Sequence, residues 1–223
     1  MEKYNIGMTT FNRPEYLKIT LETFFNSDLS LAKSLTIIDD NSEEQTRKII
    51  SECAKNSPIP VDLNKNPRNV GADTNNIVMA LKLFKFGDNY VNVDSDSKFG
   101  KNWLNEFHNM KVFCEENNID WGFLTVFNTD KHHIIDNINE KYVHKKDIGA
   151  FASMFRKDIY FNMLKNKEIL DRPTSFDWKY CWQCDLENKL IISTKNTYIQ
   201  HIGYNGTNSN ETSVDIGDNF IDG

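Results

Sequence analysis

The stretch Asn89–Lys98, NYVNVDSDSK, decides how this chain is read. Tyr90–Val93 is a short apolar-leaning run with the length and composition of a buried strand. It stops at two carboxylates one residue apart, Asp94 and Asp96, with the small polar Ser95 and Ser97 between and after them. In an open α/β sheet, ligands bind just beyond the carboxyl ends of the strands. Where a strand loosens into a loop, residues one apart can face the same site. Two carboxylates placed there suit a hard divalent cation, Mg2+ or Mn2+, which takes oxygen ligands and keeps positions open for phosphate oxygens. A lone Asp-x-Asp is also commonplace in solvated loops, so the remainder of the chain has to choose.

Working outward, the first half alternates strand and helix. YNIGMTT (4–10) is a strand, and Phe11-Asn12-Arg13-Pro14 turns the chain into a helix whose first turn suits Pro14. Leu17, Leu21, Phe24 and Phe25 form its apolar stripe. SLTIIDD (34–40) is a second strand ending in carboxylates, followed by a helix over 43–56 with Ile49, Ile50 and Cys53 inward. A short third strand occupies 60–63. Asn69-Val70-Gly71 then leads into a helix over 72–84 with Ile77, Leu81 and Phe84 inward, whose N-terminus could receive phosphate. After the 90–94 strand come a helix over 101–117 and a strand over 121–127. This alternation predicts a parallel sheet covered by helices on both faces.

The second half is less regular. Residues 128–140 show no period, and His132 and His133 there read as solvent-exposed. Strands are expected over 142–146, 149–155 and 190–199, and helices over 157–165 and 175–188. No linker composition and no repeat divides the chain, so one domain over 1–223 is expected, with 1–100 as its nucleotide-binding half and 101–223 as its acceptor half.

Bulk properties narrow the function. With 39% hydrophobic and 26% charged residues over 223 positions the chain is an ordinary globular one. A net charge of −6 argues against a nucleic-acid partner. No window approaches a membrane span and the N-terminus shows no signal peptide, which points to the cytosol or to action on a membrane from outside the bilayer. Four scattered cysteines make no disulfide framework, and Cys181 and Cys184 read as buried free thiols on a helix. Asn205-Gly-Thr and Asn210-Glu-Thr match the glycosylation pattern, without consequence in the absence of a secretory signal.

Three strands thus end in polar residues at one edge: Thr9, Thr10 and Asn12; Asp39 and Asp40; Asp94 and Asp96. Singly, each is also a turn or cap former. Together they outline a pocket for a base and a ribose, with a metal beyond. No Gly-x-Gly-x-x-Gly follows the first strand and no Gly-Lys-Ser/Thr loop exists, which disfavours dinucleotide and P-loop sites.

Four landmarks in order, TTFNRPEYLKITLETF (9–24), IIDDNS (37–42), NKNPRNVGADTNNI (64–77) and VNVDSDSKFGKNWL (91–104), resemble those of GT-A glycosyltransferases, most closely the inverting family 2 group. The resemblance covers nearly the whole chain. It implies the GT-A, Rossmann-like fold: a mostly parallel central sheet with helices on both faces and a smaller antiparallel part in the second half. It also implies a nucleoside-diphosphate sugar donor, UDP-sugar first among them, and a glycan or other hydroxyl acceptor, as in polysaccharide biosynthesis. Carried over by position, Thr9, Thr10, Phe11 and Arg13 would lie around the nucleotide and Asp39 near its base. Asn69 and Asn76 would border the donor site, and Asp94 and Ser95 would approach the ribose and sugar. Asp96 would bind the metal that bridges the phosphates, with His201 of YIQHIGYNGTN as a second ligand favouring Mn2+ over Mg2+.

Inversion needs a base facing the sugar from the side opposite the diphosphate. Asp177 in SFDWKYCW matches the family's position for it. An N-cap of the helix that follows would use the same residue type, and Asp185 is a rival two turns on. Gly149 and Trp178 would lie on the acceptor side, Trp178 offering an aromatic face to a sugar. The Asn/Gly-rich tail from Tyr204 reads as a lid. Two other readings stay open: a sugar nucleotidyltransferase, whose Gly-rich basic signature FNRPEY lacks, and a GT-A-like protein that binds a sugar nucleotide or glycan without turnover.

Overall fold

The computed structural model describes residues 2–204 and 215–223. Both Asn-x-Thr patterns, and the tail beyond Tyr204 as far as residue 214, lie outside the described residues.

The first half alternates as its sequence pattern predicts: β1 (Tyr4–Thr10), α1 (Pro14–Asn26), β2 (Ala32–Asp39), α2 (Glu44–Lys55), β3 (Val61–Lys65), α3 (Ala72–Leu83) and β4 (Asn89–Asp94). β1 lies between β2 and β4 and runs parallel to both, and β2 runs parallel to β3. There follow β5 (Ser97–Phe99), α4 (Trp103–Glu116), β6 (Trp121–Thr125), β7 (Ile134–Asn137), β8 (Tyr142–Lys145), β9 (Ser153–Arg156) and α5 (Lys157–Lys165). The last elements are α6 (Lys167–Leu170), α7 (Phe176–Leu186), β10 (Leu190–Thr194) and β11 (Ile199–His201). One sheet runs β3-β2-β1-β4-β9-β6-β10-β8-β7, while β11 and β5 form a separate antiparallel ribbon. The parallel ladders hold the first half. β9 enters antiparallel between β4 and β6, and β7 and β8 add the antiparallel part at the far edge.

Helices cover both faces. Ile6, Met8, Val91 and Val93 pack under α1 and α4 through Leu17, Leu21, Phe24, Trp103 and Phe107. On the other face, Tyr90, Phe123 and Phe155 meet Phe84, Tyr160, Phe176 and Tyr180 from α3, α5 and α7. Phe155 is the hub of that cluster, in ring contact with Tyr90, Phe123, Tyr160, Phe176 and Tyr180. Among the described residues no helix is long and apolar enough to cross a membrane.

Several elements differ from the sequence expectation. In the α3 region Phe84 is buried and Ile77 packs half-buried against the core as expected, but Leu81 is 42% exposed, and Asn75, Met79, Ala80 and Leu83 supply the rest of the buried face. Met79 packs closely over Gly7 of β1, where an added Cβ would stand 2.7 Å from its Cγ and Sδ. The expected strand over 190–199 breaks at Thr194, whose hydroxyl donates to the Asn196 carbonyl, and continues as β11 in the other sheet. The strand expected over 149–155 begins only at Ser153, because Ala152 takes a left-handed φ of 49°. His132 is not solvent-exposed as expected. Its Nδ1 lies 2.7 Å from Asp147 and its Nε2 3.6 Å from Asp215. His133 is exposed. All four cysteines are free thiols, Cys181 and Cys184 buried on α7.

Candidate functional site

Parallel register brings the predicted polar ends to one edge. Thr10 pairs with Asp39 and Thr9 with Asp94, so the ends of β2, β1 and β4 stand side by side. The two carboxylates after β2 have different fates. Asp40 is fully engaged: its oxygens accept from the Val70 and Gly71 amides at 2.9 Å and from Asn66 Nδ2 at 2.8 Å, which fixes the turn before α3. Asp39 accepts from the Ser42 amide through Oδ1 alone. Its Oδ2 and the neighbouring Thr10 Oγ1 are buried without a partner among the described residues. A buried polar oxygen left unpaired costs about 1–3 kcal/mol. Two such oxygens side by side at the sheet edge could bond donor and acceptor groups of a ligand.

The turn after β1 is strained. Asn12 and Arg13 both take left-handed φ, 53° and 58°, which side chains other than glycine adopt at a cost. The strain is held by a reciprocal pair: the Asn12 amide donates to Ser42 Oγ at 2.8 Å and the Glu43 amide to Asn12 Oδ1 at 2.9 Å. Its result is the aim of Arg13, whose Nη1 donates to Asp96 Oδ2 at 2.7 Å while Nε and Nη2 are buried without partners among the described residues. Phe11, at the same turn, is exposed.

Asp96 sits in the tight turn between β4 and β5. Thr20 of α1 staples that turn by donating to the Ser95 carbonyl and accepting from the Ser97 amide, both at 2.9 Å. The β5–β11 ribbon pairs Ser97 with His201 and so brings His201 Nε2 to 3.2 Å from Asp96 Oδ2. Phe151 packs edge-on against the imidazole at 5.0 Å. Gly203 closes the cluster. A Cβ there would stand 2.6 Å from Arg13 Nη2 and 2.8 Å from Asp96 Cγ, with Asp96 Oδ2 closer still, so any larger residue would push these side chains apart.

The charges polarise one another. Burial and the Asp96 charge push the Asp94 carboxyl up to about 7, with the Asp177 charge adding to the rise. Burial opposes ionisation of Asp96 as well, but His201 and Arg13 outweigh it and hold that carboxyl below its ordinary value. The His201 imidazole loses from burial and gains more from Asp96 and Asp94, so its pKa is raised. One carboxylate is thus kept charged and its neighbour is poised near neutrality.

Asp177, on α7, lies near enough to Asp94 for its charge to raise that carboxyl. The N-cap is Ser175, and Asp177 stands in the first turn with Oδ1 accepting from the Trp178 amide at 2.9 Å and from the Ser175 hydroxyl. Its Oδ2 is turned toward Gly149, 3.8 Å from where a Cβ on that glycine would stand. Asp185 is exposed two turns along α7. Asn69 is exposed and accepts from the Gly71 amide at 3.1 Å, while Asn76 Oδ1 is buried and unpaired among the described residues. Trp178 is exposed beside Asp177. Residue-type reasoning missed Thr20 and Gly203. A polar residue inside the Leu17–Leu21–Phe24 stripe was the available signal for Thr20. Gly203, inside HIG, gave none.

Among the described residues, no group of three or more His, Cys, Asp or Glu is arranged to hold a metal ion. Asp96 and His201 nevertheless stand at the separation of adjacent ligands around one ion, about 3 Å for octahedral bonds of about 2.1 Å.

The sequence model of glycosyl transferase family 2 matches residues 5–164, most of the chain and every element of the edge just described except α7, β11 and the turn at Gly203. The chain belongs to glycosyl transferase family 2. Solved structures carry the same fold. Staphylococcus aureus TarS 1–349 in complex with UDP-GlcNAc aligns with a TM-score of 0.61 and 16% identity, over 92% of this chain and 62% of that one. The mannosyltransferase PcManGT from Pyrobaculum calidifontis, in complex with GDP-Man and Mn2+, aligns with a TM-score of 0.53 and 11% identity, over 72% of this chain and 46% of that one. At these identities the likeness is one of fold, and this family 2 chain spans about half to three-fifths of their length. No curated protein sequence matches it.

Proposed function

We propose that this family 2 chain is a metal-dependent, inverting glycosyltransferase that moves a sugar from a nucleoside-diphosphate sugar, UDP-sugar first among candidates, to a hydroxyl of a glycan or other acceptor. The observation that carries this reading is that the Asp177 charge reaches Asp94 beside the Arg13–Asp96–His201 cluster, at the sheet edge where Thr10 Oγ1 and Asp39 Oδ2 are unpaired among the described residues. Under it, residues 1–100 form the donor half and 101–223 the acceptor half.

The Thr10 hydroxyl donates to the base or accepts from it and Asp39 Oδ2 accepts from it, with Thr9 and Phe11 beside it and Asn69 and Asn76 at the border of the donor site. The buried Nε and Nη2 of Arg13, without partners among the described residues, suit diphosphate oxygens. Asp96 and His201 fit a divalent cation in donor type and spacing, Mn2+ better than Mg2+ because one ligand is an imidazole. A bound cation supplies charge neutralisation to the leaving diphosphate. Asp94 and Ser95 border the ribose and the sugar. Asp177 Oδ2 takes the proton of the acceptor hydroxyl. The acceptor oxygen then bonds to the anomeric carbon as the bond to the diphosphate breaks on the opposite side, which inverts that centre. Gly149 leaves the space beside Asp177 open for the incoming hydroxyl.

The test is a thermal-shift panel of UDP, GDP, dTDP and CDP with and without Mn2+, joined to UDP-sugar hydrolysis. A ligand that binds only the folded state raises the midpoint. A Mn2+-dependent shift with one nucleotide, lost in Asp96→Ala, is the expected result. No shift with any nucleotide in the presence of metal sinks the proposal.

A further inference from the structure

Beyond Asp177, α7 presents Trp178, Trp182 and Asp185 along one face, at helical spacing. Across from them stand His144 and Lys146 at the end of β8, and Ile135 of the edge strand β7. Between the two walls runs a groove of about 260 Å3, floored by Cys181 and Ile191. It begins beside the residue assigned as base and follows the helix for eight residues, about 12 Å at 1.5 Å per residue.

The chemistry of the walls is specific. Trp178 keeps 41% of its surface exposed, and Trp182 is held in place by the Arg172 guanidinium stacked 4.3 Å from its ring. Two indoles in an otherwise polar groove suit the apolar CH faces of a ligand that is hydroxylated at its edges. Lys146 and Asp185 offer one donor cation and one acceptor anion, so their charges cancel. The other charges in the lining are occupied: Lys189 is paired with Asp120, Asp147 with His132, and the buried Lys145 Nζ donates to the Thr129 carbonyl. Burial lowers the His144 pKa, which keeps its ring neutral, donor at one nitrogen and acceptor at the other. No excess of either sign remains to attract a polyanion or a polycation.

We propose that this groove binds the part of a neutral oligosaccharide acceptor remote from the reacting hydroxyl, so that the enzyme selects a sugar chain over a single sugar. The inference rests on the glycosyl-transfer reading, because it takes Asp177 as the end from which the chain extends. Trp182 and Ile135 are then specificity-determining residues, distant from the donor.

Tryptophan emission tests this directly. Trp103 and Trp121 are buried, so a ligand-induced change reports Trp178 and Trp182. The probes are maltotetraose, cellotetraose and chitotetraose, each beside its monosaccharide, and tetragalacturonate as the anionic comparison. The expected result is saturable quenching or a blue shift with at least one neutral tetrasaccharide, at least tenfold tighter than its monosaccharide and tighter than tetragalacturonate. Trp182→Ala and the surface change Ile135→Arg should each weaken that binding at least tenfold. Both should leave the UDP/Mn2+ thermal shift and UDP-sugar hydrolysis at wild-type levels. The proposal is overturned if no neutral tetrasaccharide binds, if monosaccharides or the anionic chain bind as well, or if both variants bind like wild type. Tetrasaccharide binding by a protein that neither binds UDP with Mn2+ nor hydrolyses UDP-sugars would overturn the glycosyl-transfer reading and keep the groove as a glycan site.

Discussion

Gly203→Ala separates the geometry of the candidate site from the stability of the fold. The added methyl would stand 2.8 Å from Asp96 Cγ and 2.6 Å from Arg13 Nη2. Ordinary carbon contacts lie at about 3.5–4.0 Å, so the carboxylate has to withdraw by about 1 Å. Both obstructing groups are side-chain ends, which can turn, so the overpacking cost should fall in the lower part of its usual range, about 1–2 kcal/mol. For a chain of this size that is a midpoint lower by about 2–8 °C. The functional loss should be far larger. A 1 Å misplacement at a reacting centre costs about 100-fold, and here it also pulls Asp96 away from His201 and Arg13. The assay pairs a thermal melt with UDP-sugar hydrolysis across a Mn2+ titration. The expected pattern is a small loss of stability, a loss of turnover near 100-fold, and a higher Mn2+ requirement. A Gly203→Ala protein with wild-type turnover and Mn2+ dependence would refute the argument that the cluster needs this close approach.

Asp177→Asn should lower transfer by about 100- to 10,000-fold while the UDP/Mn2+ thermal shift is unchanged, as expected for loss of a general base; retained transfer would move the role elsewhere. Thr20→Val removes both bonds that staple the 95–97 turn and leaves the buried Ser97 amide unpaired, so urea unfolding should show a loss of about 1–3 kcal/mol. Phe155→Ala, at the hub of the aromatic cluster, should cost about 3–5 kcal/mol in the same assay. For His132 the sign is set by its raised pKa: burial works against the cation, but Asp215 and Asp147 overcome it. Its contribution to stability is full below the unfolded value near 6.5 and is lost as pH rises through the higher folded value. The Asp215 carboxyl is held down at about 2, chiefly by its bond to His132, so its contribution is full above its ordinary value of 3.8 and falls away as pH drops toward 2. The stability difference between wild type and His132→Gln, followed by urea unfolding against pH, should therefore be widest between about pH 4 and 6.5; a difference independent of pH would refute the pairing.

The legible part of the chain was the part whose contacts are close in sequence or imposed by a repeating pattern. Alternating strand and helix, each strand ending in polar residues, was enough to place Thr10, Asp39 and Asp94 at one edge, because parallel strands with helical crossovers allow few other arrangements. Pro14 and the Leu17–Leu21–Phe24 stripe fixed α1 for the same reason. At α3 the expected Ile77 and Phe84 do turn inward, but Leu81 does not; Met79, close over Gly7 of β1, takes a place on that face that only the packed sheet reveals. The second half was less legible because its order is set by partners far along the chain. β9 is four residues inserted between two strands, β5 and β11 are three residues each, and β10 stops where Thr194 bonds its own backbone. His132 read as exposed because its partners, Asp147 and Asp215, lie 15 and 83 positions away.

The β5–β11 ribbon has a consequence for the order in which the protein acquires competence. Asp96 and His201 are separated by 105 positions, and nothing nearer in sequence supplies the histidine or the glycine that closes against Arg13. Contacts across so long a loop form only after its entropy of closure has been met. A nascent chain halted before residue 199 can therefore assemble the β1–β4 parallel core and still present an unfinished diphosphate crevice. Under the proposed reading, donor capture waits on the last ribbon strand, and nucleotide binding would report completed folding.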